Sequence, residues 1–270
     1  MISAVPSTIL GTVLDAARTE WLKVRTLPGT AALYPGAAVL TIAISTLVTA
    51  TIHTSNADPG GHDPTKLALT GVYLGQAVIA VLATLNVGEE YSTGMIRVTF
   101  TAVPRRLVVL AGKAATVAGL TAAASVVAVT GCLAAGRLLL PGAGLGPANG
   151  YPLIAATDAA TVRAAAGTVL YLVLVALLTL GVSTAIRDTT VSIGAVLALL
   201  YLPQLLIEAV GGTLQRRLEQ IAPMPAGLAV QTTTHLHQQV IGPWAGLGVL
   251  ACWASSALLL GGLSLRLRDA

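Results

Sequence analysis

Residues 163–186 read RAAAGTVLYLVLVALLTLGVSTAI, an apolar run with a single charge at its start. A run of about 18 or more apolar residues is long enough to cross the hydrocarbon core of a bilayer as a helix. Working outward, the same reading recurs along the chain, and six spans are expected at about 31–52, 66–88, 107–135, 163–186, 190–211 and 245–265. Composition agrees: the 270 residues are 55% hydrophobic and only 10% charged, where a soluble domain carries about 25% charged residues. The expected fold class is an all-α polytopic membrane protein. Ala, Gly, Leu and Val dominate the spans, and small residues let helix backbones approach closely where lipid supplies no hydrophobic drive.

The formal net charge of +4 does not point to nucleic acid. Lys and Arg gather at helix ends, and no basic patch is interleaved with aromatics. Cys132 and Cys252 both fall in apolar runs and read as small buried core residues. The four histidines, His53, His62, His235 and His237, fall in expected loops with no further ligands beside them, so no metal site is expected. No catalytic constellation is visible. The one carboxylate inside an expected span is Glu208, which marks either a transport path or an interfacial partner of Arg216 or Arg217.

Basic residues orient the bundle. With both termini on one side, that side holds ten of the 15 Lys and Arg: Arg18, Lys23, Arg25, Arg97, Arg105, Arg106, Lys113, Arg187, Arg266 and Arg268. The other side holds five, Lys66, Arg137, Arg163, Arg216 and Arg217. The richer side is expected to be cytoplasmic, in a cytoplasmic membrane. The opposite loops are then 53–65, short and rich in turn formers; 136–162, rich in Gly and Pro; and 212–244, where Leu214, Leu218 and Ile221 have helical spacing and Pro223, Pro225 and Pro243 interrupt it. Short helices lying on or dipping into the membrane face are expected there.

Two segments stand outside the spans. Residues 1–30 form a cytoplasmic segment in which Ile9, Val13, Ala16, Ala17, Trp21 and Val24 recur at near-helical spacing. That pattern suits an amphipathic helix on the membrane surface, with a plain cytoplasmic helix as the alternative. No secretory signal is visible, and retention of this segment is expected. Residues 88–106, GEEYSTGMIRVTFTAVPRR, form a polar island between the second and third spans. Ser92 or Thr93 suits a helix cap, Gly94 a tight turn, and Pro104 a stop. Met95 and Val98 oppose Arg97 and Thr99, while Arg105 and Arg106 meet headgroups. Glu89 and Glu90 can pair with these arginines or with the N-terminal helix. No GxxxxGK[ST] loop is present, since Lys113 lacks the rest of that pattern, so nucleotide is not bound by that route.

With TEWLKVRTLPGT at 19–30, EEYSTGMIRVTFTAVPRR at 89–106 and Lys113, the chain resembles a permease of the ABC-2 family of ATP-binding cassette transporters. The likeness covers the whole topology, residues 31–270 forming the transmembrane domain, but only about thirty residues in motif. It implies an elbow helix with Glu20, Trp21, Lys23 and Arg25. It implies that 89–106 is a coupling helix seated on an ATP-binding subunit. It also implies two such subunits holding ATP and Mg, a second permease, identical or not, and export of a hydrophobic or amphipathic antibiotic, peptide or lipid-like compound. The chain itself would be no enzyme and hold no cofactor. Spans two and five line the path in relatives, which makes Gln76, Asn86, Tyr201 and Gln204 candidate cargo contacts. A carrier or channel without ATP, or a non-transporting assembly or immunity protein, are the other classes compatible with the sequence.

Overall fold

A computed structural model describes residues 28–52, 62–92, 106–155, 157–234 and 236–267. Among them every regular element is helical. In chain order these are α1 (Pro28–Thr51), α2 (Pro64–Ala68), α3 (Val72–Ser92), α4 (Arg106–Leu139), α5 (Ala159–Ile186), α6 (Thr189–Ala209), α7 (Thr213–Ile221), α8 (Pro223–Leu228) and α9 (Pro243–Leu267), with short 3-10 turns at Pro147–Asn149, Ala229–Gln231 and Leu236–Gln238. Five of them, α1, α4, α5, α6 and α9, are long and apolar enough to cross a membrane, and the bundle is compatible with a multi-pass membrane protein. The second expected span differs. Its apolar part, Val72–Asn86, is shorter than the others, and the helix expected at 66–88 is broken into α2 and α3.

The break has an identifiable cause. Ser45 of α1 inserts its hydroxyl into the helical ladder of its neighbour. The Oγ accepts from Gly71 N at 3.2 Å and donates to the Ala68 carbonyl. In an unbroken helix those groups would pair with Leu67 O and Val72 N. Val72 N instead bonds Leu69 O, a tighter turn. Insertion of a side chain into the ladder is a standard origin of a helix discontinuity. Close approach permits it: a Cβ on Gly71 would collide with the Thr41 carbonyl and lie 2.9 Å from Ser45 N. Gly71 and Gly75 thus face α1 of the same chain.

The centre of the bundle is α5, which touches α3, α4, α6, α8 and α9. Tyr171, Val175, Ala176 and Leu180 on it are wholly buried. Asp158 caps its start, accepting from Thr161 N at 3.0 Å, and that bond holds the Asp158 carboxyl below its usual range. Its end is the left-handed residue Arg187 (φ 65°), whose N–H bonds Ser183 O at 2.9 Å. Asp188 then caps α6 through Val191 N at 2.8 Å. A non-glycine residue in that region carries strain, and the Arg187 guanidinium is tethered here to Ser264 O of α9 at 3.0 Å.

Against α5, α9 packs backbone to backbone. A Cβ on Gly181 would strike Ala257 and approach Leu258 N to 2.5 Å, and one on Gly261 would lie 2.8 Å from Gly181 O. The buried hydroxyls of Thr41, Thr84, Thr168, Thr179 and Thr184 each donate to the carbonyl four residues earlier, at 2.7–2.9 Å. They are thereby satisfied without a partner helix.

The expected boundaries shift elsewhere. The third span extends from Arg106 to Leu139. The segment expected to be irregular, 136–162, packs Leu140, Leu145, Tyr151 and Ile154 into a small core against Ala68. Cys132 is buried as expected, whereas Cys252 is exposed on α9. Apolar residues pointing out of a membrane bundle face lipid at little cost, so an apolar run does not imply burial within the protein.

The α5–α9 contact yields a prediction. Gly181→Val should destabilise the bundle by about 2 kcal/mol or more through overpacking against backbone that cannot yield. Gly194→Ala in α6, where a Cβ meets nothing within 4 Å, should be neutral or stabilising by up to about 1 kcal/mol. Thermal unfolding of the two purified variants in one detergent checks both.

Candidate binding cleft

Residues 62–71, 140–155, 157–158, 210–234 and 236–242 gather at one end of the bundle, and the α5–α6 turn, the start of α4 and the end of α9 at the other. Just inside the first end, the spacing Tyr73-x-x-Gln76 puts two polar side chains on one face of α3. Gln76 is wholly buried. Its Oε1 accepts from the Tyr171 hydroxyl of α5, and its Nε2 donates to Met224 Sδ of α8 at 3.1 Å. The Tyr201 hydroxyl of α6 donates to the Tyr73 carbonyl. Four helices are thus joined by one polar layer, in which a buried amide without partners would cost roughly 1–3 kcal/mol.

Above this layer lies a two-lobed cleft. One lobe, of about 330 Å³, is walled by Gln204, Glu219 and the apolar Ile207, Leu228 and Ile241. The other, of about 520 Å³, adds His62, Asp63, Thr70 and Thr234. Lys66, Tyr73, Thr232, Gln238 and Gln239 line both, so the lobes form one depression.

Its walls are held by Asp63. The Asp-Pro-Thr start of α2 makes Asp63 an N-cap, with Pro64 at the first helical position. One carboxylate oxygen accepts from Thr65 N and Lys66 N, each at 3.1 Å, and from Thr233 Oγ1 at 2.8 Å. The other accepts from Thr233 N and, at 3.0 Å, from Thr234 N. A single carboxylate therefore ties the segment after α8 to α2, and Arg163 Nη2 holds the same segment by donating to Thr232 O at 2.6 Å. Several polar atoms here are buried with no hydrogen-bond partner among the described residues: both amide atoms of Gln231, Thr232 Oγ1, Gln239 Oε1 and Arg163 Nε.

Of the four path candidates, Gln76, Tyr201 and Gln204 converge at or just below this cleft. Asn86 does not: it lies nearer the other end, its Nδ2 donating to Leu82 O at 2.8 Å and to Tyr34 OH at 3.2 Å. Glu208 is exposed and forms no ion pair with Arg216 or Arg217 among the described residues. Lys113 is buried in α4. Glu89, Glu90 and Ser92 belong to the last turns of α3, and Arg106 opens α4. Thr93, Gly94, Met95, Arg97, Thr99, Pro104 and Arg105 lie outside the described residues, as do Glu20, Trp21, Lys23 and Arg25 of the expected elbow helix. His62 lines the cleft, His237 is exposed, and no cluster of metal-ligating side chains occurs among the described residues.

The expected helical interruptions of 212–244 are present but of two kinds. α7 has no buried residue, and Leu214 and Ile221 point outward. α8 is buried almost throughout, with Gly227 against the Tyr171 ring and Gly246 of α9 against the Ala226 carbonyl. Sequence reasoning did not single out Asp63, Lys66, Tyr73, Thr232 or Glu219. Signals for two of them were present in the Asp-Pro cap and in the i, i+3 relation of Tyr73 to Gln76. No family model and no curated protein matches this sequence.

Asp63→Ala should leave the bundle folded but loosen the cleft. Hydrogen bonds to a charged acceptor contribute about 1.5–3 kcal/mol each, and fewer than all five need be lost independently. Amide exchange at Thr233 and Thr234 should accelerate by roughly 30-fold or more, while amides in the middle of α5 keep their protection.

Proposed function

We propose that this chain is the transmembrane subunit of an ABC-2-type ATP-binding cassette exporter. In this reading Val72–Ser92 serves as a sixth crossing beside the five long apolar helices, both termini are cytoplasmic, and the cleft opens on the far side of a cytoplasmic membrane. Two separate ATP-binding subunits hold ATP and Mg, and a second permease, identical or related, completes the complex. The cargo is a hydrophobic or amphipathic compound moved outward. The observation that carries the reading is the segment EEYSTGMIRVTFTAVPRR, which links the end of α3 to the start of α4 at the end of the bundle away from the cleft. A motor at one end and a polar recess at the other is compatible with export. The basic residues support the same polarity, since ten of 15 fall on the motor side when both termini lie there.

Reconstituted vesicles containing the chain and its ATPase provide the test. Gly94→Pro and Arg97→Glu should each cut transport roughly tenfold, about 1.4 kcal/mol of coupling, while nucleotide hydrolysis continues and the bundle stays folded. Full coupling in both variants, or purification of the complex without any ATPase, would overturn the reading in favour of a carrier. Gln204→Leu should alter cargo preference several-fold with little effect on basal hydrolysis; an unchanged export profile would remove Gln204 from the path.

A further inference from the structure

The charges that line the cleft are few and of both signs. Lys66 stands between the lobes and forms no ion pair among the described residues. Glu219 lines one lobe, where its Oε1 accepts from Gln215 Nε2 at 3.0 Å. Asp63, in the other lobe, is already committed to five hydrogen bonds within the chain. Among the described residues, one cation and one anion are therefore available to a ligand. Between them the polar lining is uncharged: the amides of Gln204, Gln238 and Gln239, each both donor and acceptor. Two side-chain atoms of residues that line this space, Thr232 Oγ1 and Gln239 Oε1, are buried and have no hydrogen-bond partner among the described residues. Thr232 itself is only 8% exposed. A buried acceptor left unpaired costs roughly 1–3 kcal/mol, which an N–H from a ligand would recover. Apolar Ile207, Leu228 and Ile241 complete one wall. Lobes of about 330 and 520 Å³ fall within the size range of small-molecule sites.

We propose that this cleft binds a short peptide, or a peptide-like compound, carrying free amino and carboxyl ends. Lys66 takes the carboxylate and Glu219 the ammonium. The glutamine amides and Thr232 pair with the peptide bonds, whose donor and acceptor they match, and the apolar wall receives a side chain. A zwitterionic phospholipid headgroup shares the charge pair, and Lys can hold phosphate as a point charge, but a phosphodiester has no N–H to give the acceptor oxygens of the glutamine amides that line the cleft. Binding here needs no motor, so the site stands or falls separately from the transport reading.

The experiment is titration calorimetry of the full chain in phosphatidylcholine nanodiscs with tri-leucine, its N-acetyl form and its C-terminal amide. Tri-leucine should saturate a single site, and blocking either end should weaken binding roughly tenfold, about 1.4 kcal/mol. Lys66→Met should erase the penalty for amidation alone and Glu219→Gln the penalty for acetylation alone. Thr232→Val should weaken all three peptides several-fold. Both charged residues lie at the surface of the cleft, and unchanged melting of each variant certifies its fold. Three results would overturn the proposal: no saturable binding, equal binding of blocked and free peptides, or competition by phosphoethanolamine at the same concentration as tri-leucine, which would identify a headgroup site.

Discussion

The architecture depends on the backbone contact between α5 and α9. Inside a bilayer, apolar side chains gain nothing by leaving lipid for protein, so helices associate only where shape lets them come close. Gly181 and Gly261 supply that shape, each occupying a place where a Cβ would meet the other helix's main chain. The same device continues along the pair toward the cleft. Gly246 of α9 lies against the Ala226 carbonyl, Gly227 against the Tyr171 ring, and Gly167 of α5 against Val230. The short α8 is thereby drawn into the bundle instead of resting on it. Everything that follows α8 in the chain, including the wall of the cleft, is positioned from that anchor.

Polar groups then do what small residues cannot, namely fix register. Ser45 takes over two places in the ladder between α2 and α3, so α1 and α3 can meet in only one alignment. Gln76 does the equivalent for α3, α5 and α8, with one side-chain amide answering two partners. Asp63 does it for α2 and the segment after α8. None of these is an ion pair. Each is a single polar group with partners from separate elements, a configuration that loses little in a medium of low polarity because few atoms are left unpaired.

How much was legible in the sequence follows from this division. Long apolar runs declare themselves through composition, and α1, α4, α5, α6 and α9 lie close to where the apolar runs put them. Hydropathy does not register one hydroxyl from another helix, so the interruption at residues 69–71 was hidden inside an apparently continuous span. Nor does it separate a lipid-facing position from a buried one, which is why Cys132 and Cys252 looked alike. At the cleft, Gln76, Tyr201 and Gln204 were recognisable as polar residues in apolar surroundings. Lys66, at the edge of the second expected span, and Glu219, in an expected loop, resembled ordinary interfacial charges, because their meeting depends on α7 and α8 folding back across the bundle, a long-range arrangement without a local signature. Asp63 was the exception: its cap was readable, but its grip on Thr233 and Thr234, 170 and 171 residues away, was not.

The polar layer also limits how the proposed exporter can work. Gln76, Tyr171 and Met224 fill the bundle directly beneath the cleft and are wholly or almost wholly buried. A compound crossing through the middle of this one chain would have to break both bonds of Gln76 and part α3 from α5. The Ser183 hydroxyl of α5, donating to Thr84 Oγ1 of α3 at 3.3 Å, adds a further tie across the same pair. The outer flanks carry no such restraint: Leu202, Leu205 and Leu206 on α6 and Leu33, Val39 and Leu47 on α1 are exposed. On the exporter reading, passage therefore runs alongside the bundle, between this chain and a second permease, and the cleft is a recess opening beside that route.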